Sequence, residues 1–303
     1  YLFWVRSFIA FCRKDESCDI TTESLTSHNV KQFLAHLAIK KHVSASTQNQ
    51  AFNALLTFFR NVCNTDLTDM KDAVRARTSV KLPVVFSINE LKELFNYAEG
   101  TNGLILKLIY GGGLRISECC RLRLKDLDFD QQLIYVREGK GGKDRTTLLP
   151  ASLHDQLKLH KQKVLRTHEK DLRAGFGSVW LPHSLSRKYP DAATSHAWQW
   201  LFPSANLSRD PESGKVRRHH ISPSAPQRAM KSMLKKSSIY KHASVHTLRH
   251  SFSTQLLLSG VDLRQIQENL GHTKVEKTII YNHVINNMRN PVSSPLDMID
   301  VQP

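Results

Sequence analysis

Long apolar runs are missing from this sequence. The longest candidates, such as the stretch from Leu104 to Tyr110, are interrupted by a charged side chain, in that case Lys107. None approaches the roughly 18 residues that a membrane-spanning helix needs. With 40% hydrophobic and 23% charged residues among 303, the composition is that of a folded globular protein rather than a disordered polyelectrolyte or a fibre. An integral membrane protein is excluded, and the length favours two domains.

Cysteines are few and show no paired spacing. The five lie at positions 12, 18, 63, 119 and 120, and none forms a CxxC motif. An odd number spread over a long chain is a poor disulfide framework, so we expect a reducing compartment. The first residue is Tyr1, within an apolar helical pattern. We therefore expect a chain truncated at its N-terminus, in which any targeting signal would lie upstream.

Acidic residues are scarce relative to basic ones. The chain has 43 Lys and Arg against 27 Asp and Glu, a formal charge of +16. Residues 166–250 hold 15 basic and 5 acidic residues, which places +10 of that charge in one segment. An excess this concentrated indicates a surface for a polyanion, with nucleic acid as the leading partner. An anionic membrane is the weaker option, because no strongly amphipathic basic helix is present.

The first 80 residues have the pattern of a small helical domain. Apolar residues at helical spacing predict helices over 1–14, 26–40 and 46–63. Ser46 is a candidate N-cap for the third helix. The stretch 74–83 is basic and ends at a proline, which favours an exposed linker. We predict an N-terminally truncated helical domain over residues 1–78, a linker over 79–85 and a second domain over 86–303.

The second domain is predicted to be mainly α with a small antiparallel β-sheet. Ser87 and Glu90 form a capping box at a helix start, and a helix over 104–110 is expected to break at three glycines, 111–113. Two short apolar runs, 133–136 and 146–149, flank a Gly-rich turn and predict a hairpin. Further helices are predicted over 151–165, 224–237, 246–258, 262–270 and 274–285. Periodicity fails over about 172–223, which we interpret as an insertion.

Basic residues lie near glycines at two places in the second domain. Arg115 comes two residues after the last glycine of the triplet, near a predicted helix start that favours anions. Glu118 is expected to be structural, holding an arginine or capping the turn. Lys140 and Lys143 lie in the hairpin turn, but a phosphate-binding P-loop requires GxxxxGK[ST], and the only GGK here is followed by Asp144. Nucleotide hydrolysis is therefore disfavoured.

A histidine-rich helix and a late tyrosine complete the candidates. His246, Arg249 and His250 share one helical face. A metal site there is disfavoured, because no carboxylate or cysteine is in register and the arginine would repel a cation; anion binding fits better. His272 follows Leu270 and Gly271, and Tyr281 comes nine residues later. Taken singly, Tyr281 has the pattern of a core residue.

Taken together, these residues resemble the active-site series of the tyrosine recombinases, enzymes that break and rejoin DNA. The phrases YGGGLRISE, EGKGGKDR, HTLRHSFST and LGHTKVEKTIIYNHV occur in the family's order and span nearly the whole chain. The segments LPHSLSRKYP, HAWQWLFPS, DPESGKVRRHH and SSPLD are similar to the integron integrases, a subfamily with an extra segment.

The resemblance implies a fold, an activity and a catalytic set. The fold is a two-domain clamp around DNA, with a SAM-like core-binding domain before the catalytic one. The activity is site-specific recombination of gene cassettes through a 3'-phosphotyrosine, at attachment sites that include folded single-stranded hairpins. The implied catalytic residues are Arg115, Lys140, His246, Arg249, His272 and Tyr281. Lys143 remains the local rival of Lys140 as the acid that protonates the leaving oxygen.

The resemblance also implies surroundings for the enzyme. It needs no cofactor and no metal, acts as a homotetramer on DNA in the bacterial cytoplasm, and docks residues after about 286 on a neighbouring protomer. We predict a set of DNA-binding residues from polar, basic and aromatic positions in the first domain, the hairpin turn and the insertion. They are Lys40, Lys41, Thr47, Gln48, Asn49, Lys143, Arg187, Lys188, Trp198, Trp200, Arg217, Arg218, His219 and His220.

Two other functions are consistent with parts of this pattern. A type IB topoisomerase resembles the same Arg, Lys, His and Tyr arrangement and would relax supercoils without a partner site. A non-catalytic architectural DNA-binding protein would show the same basic surface. A covalent protein–DNA adduct separates that binding protein from both enzymes.

Overall fold

The structure is a computed structural model that describes residues 1–15, 25–67, 83–137, 139 and 143–271. The chain divides into two compact units, Tyr1–Lys81 and Leu82–Pro303. The helix predicted over 274–285 and most of the predicted linker lie outside the described residues. None of the helices in the described part is long and apolar enough to cross a membrane.

The first unit is a bundle of three helices: α1 (Leu2–Asp15), α2 (Ser27–Ile39) and α3 (Ala45–Asn61). Their apolar faces meet around Phe8, Val30, Phe33, Leu55 and Phe59, which are almost fully buried. The three predicted helices are confirmed. The predicted cap of the third helix is wrong, because the hydroxyl of Ser44, not Ser46, accepts the hydrogen bond from the main-chain N–H of Thr47, at 3.2 Å.

The second unit is mostly helical, as predicted. Its helices are α4 (Ile88–Asn96), α5 (Gly100–Gly112), α6 (Ile116–Cys120), α7 (His154–Arg173), α8 (His183–Lys188), α9 (Ser224–Lys236), α10 (Val245–Leu258) and α11 (Leu263–Leu270). The apolar helix α5 is central and packs against α6, α7, α9 and α10. The capping box that links Ser87 and Glu90 at the start of α4 is confirmed.

The break expected at the glycine triplet is only partly correct. Helix α5 continues through Gly111 and Gly112 and ends at Gly113, which has a left-handed φ of +59°. A Cβ on Gly113 would overlap the ring of Phe252 on α10. Glycine is therefore required there for its backbone conformation and for the close approach of α10.

A small antiparallel sheet carries the predicted hairpin. Its strands are β1 (Leu127–Asp128), β2 (Leu133–Val136) and β3 (Arg145–Leu148), in that order. The turn joins β2 to β3, and Val136 and Arg145 are the paired residues nearest to it. The segment 172–223 was expected to be irregular, but it contains a second hairpin, β4 (Pro203–Arg209) and β5 (Val216–His220). That hairpin is mostly polar, so no period-two apolar pattern marks it in the sequence.

Candidate active site

Arg115 is placed by the end of α5. The left-handed Gly113 turns the chain, Leu114 is buried in the core, and Arg115 becomes the N-cap of α6, so the predicted helix start is confirmed. Its main-chain N–H donates to Oε2 of Glu118 at 2.8 Å, and its Nη1 donates to Oε1 at 2.6 Å. Glu118 thus caps the turn and holds the arginine, as the sequence indicated.

Glu118 also binds a second arginine that the sequence reasoning did not include. Nη1 and Nη2 of Arg145, on β3, donate to Oε1 and Oε2 at 2.9 and 2.7 Å. Burial by itself raises the pKa of Glu118, but the hydrogen bonds and charge of Arg145, and then the hydrogen bonds from Arg115, lower it to about 2. The carboxylate is therefore ionised at neutral pH. The sequence did contain an indication that Arg145 points inward. Side chains alternate between the two faces of a strand, so Arg145 lies on the same face of β3 as the buried Thr147.

Arg249 completes a group of three arginines around this carboxylate. It lies on α10 and is 2% exposed. Its two terminal nitrogens donate to the main-chain oxygens of Gly113 and Leu270, and Nη1 lies 3.8 Å from Oε2 of Glu118. Elements far apart in sequence, α5, α6, β3, α10 and α11, therefore meet at one buried anionic centre that organises cationic groups.

Two histidines lie beside these arginines on α10. The rings of His246 and His250 make an edge-to-face contact with 4.8 Å between centroids. Partial desolvation, and then the charges of Arg249 and Arg115, lower the pKa of the surface residue His246. Burial, and then the charges of His246 and Arg249, lower the pKa of His250 to about 4. Both imidazoles are therefore neutral at pH 7.

An open cleft of about 580 Å³ lies next to His246. One wall comes from Leu114 and Ile116, beside Arg115, and the other comes from the polar and basic face of α9 with Arg228 and Lys231. Arg228 and Lys231 were not among the predicted site residues, although two basic side chains at helical spacing could have indicated a basic helix face. In the part of the chain that is described, no three His, Cys, Asp or Glu side chains gather into a metal site.

Three of the six catalytic candidates, Lys140, His272 and Tyr281, lie outside the described residues. The hairpin that carries position 140 is closed by a hydrogen bond from the N–H of Gly139 to the carbonyl of Lys143 at 3.2 Å. Lys143 is exposed. His272 directly follows Gly271, the left-handed C-cap of α11.

The DNA-binding candidates of the first unit fall into two groups. Lys40 and Lys41 are exposed, while Thr47 and Asn49 are half-buried. Gln48 is 6% exposed, and its side-chain amide donates to the carbonyl of Leu34 at 3.1 Å. The assignment of Gln48 to DNA binding is therefore wrong, because its side chain joins α3 to α2.

The tryptophans of the insertion also differ from each other. Trp200 is 4% exposed and packs with Val179, Leu181 and Ala192. It also lines the cleft beside Trp198, so its assignment to DNA binding stays a prediction. Trp198 is half-buried, with the Lys125 ammonium nitrogen 2.8 Å from its ring centroid.

A second cleft, of about 540 Å³, opens beside Trp198. Its walls include aromatic and basic side chains, together with the acidic Glu118, Asp126 and Asp144; the aromatic and basic ones are Trp180, Tyr189, Trp198, Trp200, Arg121, Arg123, Lys125 and Arg137. Desolvation, and then the charge of Arg137, lower the pKa of Lys125 to about 8 despite the nearby Asp126. An anion in this cleft would raise the pKa of Lys125, because a nearby negative charge favours the ammonium form.

The basic residues of the insertion have different surroundings. Arg187 and Lys188 on α8 are exposed. Arg218 forms a two-point ion pair with Asp171, at 2.6 and 2.8 Å, and also donates to two main-chain carbonyls. The guanidinium thus joins β5 to α7, and its assignment to DNA binding stays a prediction.

The remaining candidates lie on the strand β5. Arg217 pairs with Asp210 at 2.8 Å. His219 is exposed and His220 is half-buried, and their rings lie 4.1 Å apart between centroids. Burial is the largest cause that lowers the pKa of both histidines, so both are neutral at pH 7.

Comparison with known proteins places this geometry in a family. Residues 85–288 match the Phage integrase family, and residues 1–69 match the N-terminal SAM-like domain of phage integrases. An integrase/recombinase of Escherichia coli is 44% identical over 99% of this chain and 87% of its own. The tyrosine recombinase XerA of Thermococcus kodakarensis is 31% identical over 86% of this chain and 78% of its own.

Solved structures agree in fold. XerH site-specific recombinase in a post-cleavage complex with palindromic difH substrate is 20% identical with a TM-score of 0.61, over 91% of this chain and 73% of that one. A lambda integrase dimer bound to a COC' core site is 16% identical with a TM-score of 0.57, over 99% and 92%. The chain belongs to the phage integrase family, the tyrosine recombinases, which break and rejoin DNA at specific sites.

Proposed function

We propose that this enzyme is an integron integrase, which inserts and excises gene cassettes at attachment sites that include folded single-stranded hairpins. The observation that carries the chemistry is the charge arrangement around Glu118. Arg115 and Arg249 are fixed by this carboxylate and by main-chain carbonyls before any substrate is bound. Cleavage of a phosphodiester adds negative charge to the nonbridging oxygens, and cationic donors held in place beforehand stabilise that charge most effectively.

Tyr281 is proposed as the nucleophile. Its hydroxyl loses its proton to solvent as the oxygen attacks the phosphorus, a 3'-phosphotyrosine bond forms, and the bond to the 5' oxygen breaks. The leaving oxygen takes a proton from Lys140, with Lys143 as the rival donor on the same hairpin. Neutral His246, together with His272, supplies hydrogen bonds to the phosphate. Because the covalent intermediate conserves the energy of the broken bond, rejoining needs neither nucleotide nor metal.

The two units are proposed to clamp the duplex. Residues 1–78 form the core-binding domain, in which the exposed Lys40 and Lys41 meet phosphates. Residues 79–85 are the linker, and residues 86–303 are the catalytic domain. Four protomers assemble on DNA, and the segment 286–303 docks on a neighbour.

The insertion is proposed to read the extrahelical bases of hairpin sites. Support comes from the cleft beside Trp198, whose aromatic and basic walls suit a base stacked next to a phosphate. His219 and His220 on β5 remain part of this proposal. Trp200 lines the same cleft and Arg218 lies on the same strand, so both also remain predicted contacts. Gln48 does not, because its buried side chain joins α3 to α2.

The decisive experiment seeks the covalent intermediate. The protein is incubated with labelled DNA fragments from the region around its own gene, each as a duplex and as a folded single strand. Denaturing electrophoresis should then show a labelled protein–DNA adduct. The absence of an adduct with every fragment would exclude both enzymatic functions, and relaxation of a supercoiled plasmid that lacks the captured sequence would favour the topoisomerase.

A second experiment tests the reading of unpaired bases. The captured hairpin is compared with a version that lacks its extrahelical bases, for the wild type, Trp198→Ala, His220→Ala and the control Leu159→Ala, which removes an exposed side chain on α7. Deletion of the bases should weaken binding by the wild type and the control about tenfold or more, since a stacked base contributes about 1 to 3 kcal/mol. It should affect Trp198→Ala and His220→Ala little. Equal losses for all four proteins would contradict the proposal.

A further inference from the structure

Arg145 is the one arginine of the central group that was not predicted as a catalytic residue, although it ends the segment EGKGGKDR that also carries Lys140. It opens β3, at the base of the hairpin that carries the lysine turn, and its side chain is 10% exposed. All three guanidinium nitrogens make hydrogen bonds within the protein. Two donate to Glu118, and Nε donates to the main-chain carbonyl of Asn269 at 2.9 Å. The side chain is thus committed to the protein rather than to a ligand.

The pairing at Glu118 shows what Arg145 does to Arg115. Each carboxylate oxygen accepts one hydrogen bond from each arginine, and Arg145 provides a two-point fork. Arg115 places only one of its side-chain nitrogens, Nη1, on the carboxylate. Its Nη2 instead makes a longer bond, 3.4 Å, to the carbonyl of Gly271, and the side chain stays 21% exposed. If the fork of Arg145 were removed, Arg115 would be able to turn and form its own fork with Glu118, because two-point pairing is the preferred geometry.

Arg145 also contacts the turn that ends α11. Gly271 has a φ of +61°, and a Cβ added there would lie 2.8 Å from Cδ of Arg145. The bond from Nε to Asn269 fixes the same turn. The carbonyl of Gly271 is the one that receives Nη2 of Arg115. One side chain therefore fixes both partners that orient Arg115: the Glu118 carboxylate and the Gly271 carbonyl.

We propose that Arg145 is a positioning residue that keeps the guanidinium of Arg115 turned toward the scissile phosphate. The proposal rests on the proposed function, in which Arg115 contacts that phosphate. Arg145 itself touches no reacting atom. Arg145 occupies both carboxylate oxygens of Glu118. Arg115 is therefore free to pair with the phosphate of the substrate instead of forming a second side-chain bond to the carboxylate.

The test compares Arg145→Lys with Lys241→Arg. The control alters another ion pair of this unit, in which Lys241 bonds Glu90 of α4 at 2.6 Å and which has no part in the proposed chemistry. The probe is the DNA fragment captured as an adduct by the wild type. It is prepared with a normal phosphate and with an uncharged methylphosphonate at the scissile position. The rate constant of adduct formation is measured under single-turnover conditions, together with the dissociation constant.

Arg145→Lys should slow adduct formation on the normal phosphate about a hundredfold, the size of effect seen when one preorganised donor is lost. Its dissociation constant should stay within about threefold of the wild-type value, because Arg145 does not contact DNA. On the methylphosphonate the defect should shrink to below about tenfold, because the neutral group places less demand on Arg115. Arg115→Ala should show the same dependence on substrate charge, and Lys241→Arg should react like the wild type on both substrates.

A defect of equal size on both substrates would overturn the proposal, since a general structural role lowers all rates alike. So would a normal rate on the phosphate. If Arg145→Lys does not unfold cooperatively, Arg145→Gln is measured in the same way and judged by the same two outcomes. Failure of the proposed function is distinguishable, because the wild type would then form no adduct with any fragment.

Discussion

Replacing Glu118 with glutamine removes the negative charge that Arg115 and Arg145 share. The pKa of this carboxyl is about 2 in the folded protein, against an ordinary value of 4.5. The folded state therefore binds the proton more weakly than the unfolded state. At about 1.4 kcal/mol for each pKa unit, ionised Glu118 stabilises the fold by about 3 kcal/mol at pH 7. This contribution is fully present above the unfolded pKa and is lost as the pH falls through the folded pKa.

Urea unfolding followed by tryptophan fluorescence measures this contribution, because Trp180, Trp198 and Trp200 lie in the same unit as Glu118. Glu118→Gln should lower the free energy of unfolding by about 3 kcal/mol at pH 7 and by roughly 1 kcal/mol less at pH 3.5. The control Glu90→Gln weakens the more exposed pair with Lys241 and should cost less than about 1 kcal/mol. A loss below about 1 kcal/mol for Glu118→Gln, or one that does not change with pH, would refute the reasoning.

Three further predictions address separate features. Gly113→Ala should lower the free energy of unfolding by about 3 kcal/mol, because the new Cβ would overlap Phe252 and the left-handed backbone would be strained. Gly214→Ala, at a left-handed position with open space around it, should lower it by about 1 kcal/mol. Equal losses would show that the contact with Phe252 does not matter. Lys140→Ala should lose cleavage of normal DNA and regain it on a bridging 5'-phosphorothiolate, whose sulfur leaves without an acid; no rescue would remove Lys140 from that role. The pKa of His250 is about 4 in the folded protein, against an ordinary value of 6.5, so the free energy of unfolding should fall as the pH falls from 6.5 to 4. His250→Gln should make the free energy of unfolding depend less on pH in that window. An unchanged dependence would refute the burial of His250 as the cause.

Local patterns were sufficient for much of the fold. The three helices of the first unit, the Ser87–Glu90 capping box and the hairpin of β2 and β3 each depend on residues close together in sequence. The second hairpin did not follow from the sequence, because its strands are polar and mostly exposed, so no apolar alternation marks them. Helix α5 runs through Gly111 and Gly112 because packing of its apolar face outweighs their weak helix propensity.

The site was predictable in its residue types but not in its partners. The motifs identified Arg115 and Arg249, and the structure brings both to Glu118. The role of Arg145 depends on contacts with α6 and α11 that no local pattern encodes. The same reason applies to the ion pair of Arg218, whose partner Asp171 is 47 positions earlier in the chain.

The most direct test of the central claim is the adduct formed by Tyr281→Phe. The captured DNA fragment is incubated with the wild type and with this variant, the products are resolved by denaturing electrophoresis, and the labelled peptide of the wild type is identified by mass spectrometry. We predict that the wild-type peptide carries the phosphate on Tyr281, and that the variant binds DNA with nearly unchanged affinity but forms no adduct. Retained strand cleavage by Tyr281→Phe, or a phosphorylated peptide from another part of the chain, would contradict the account.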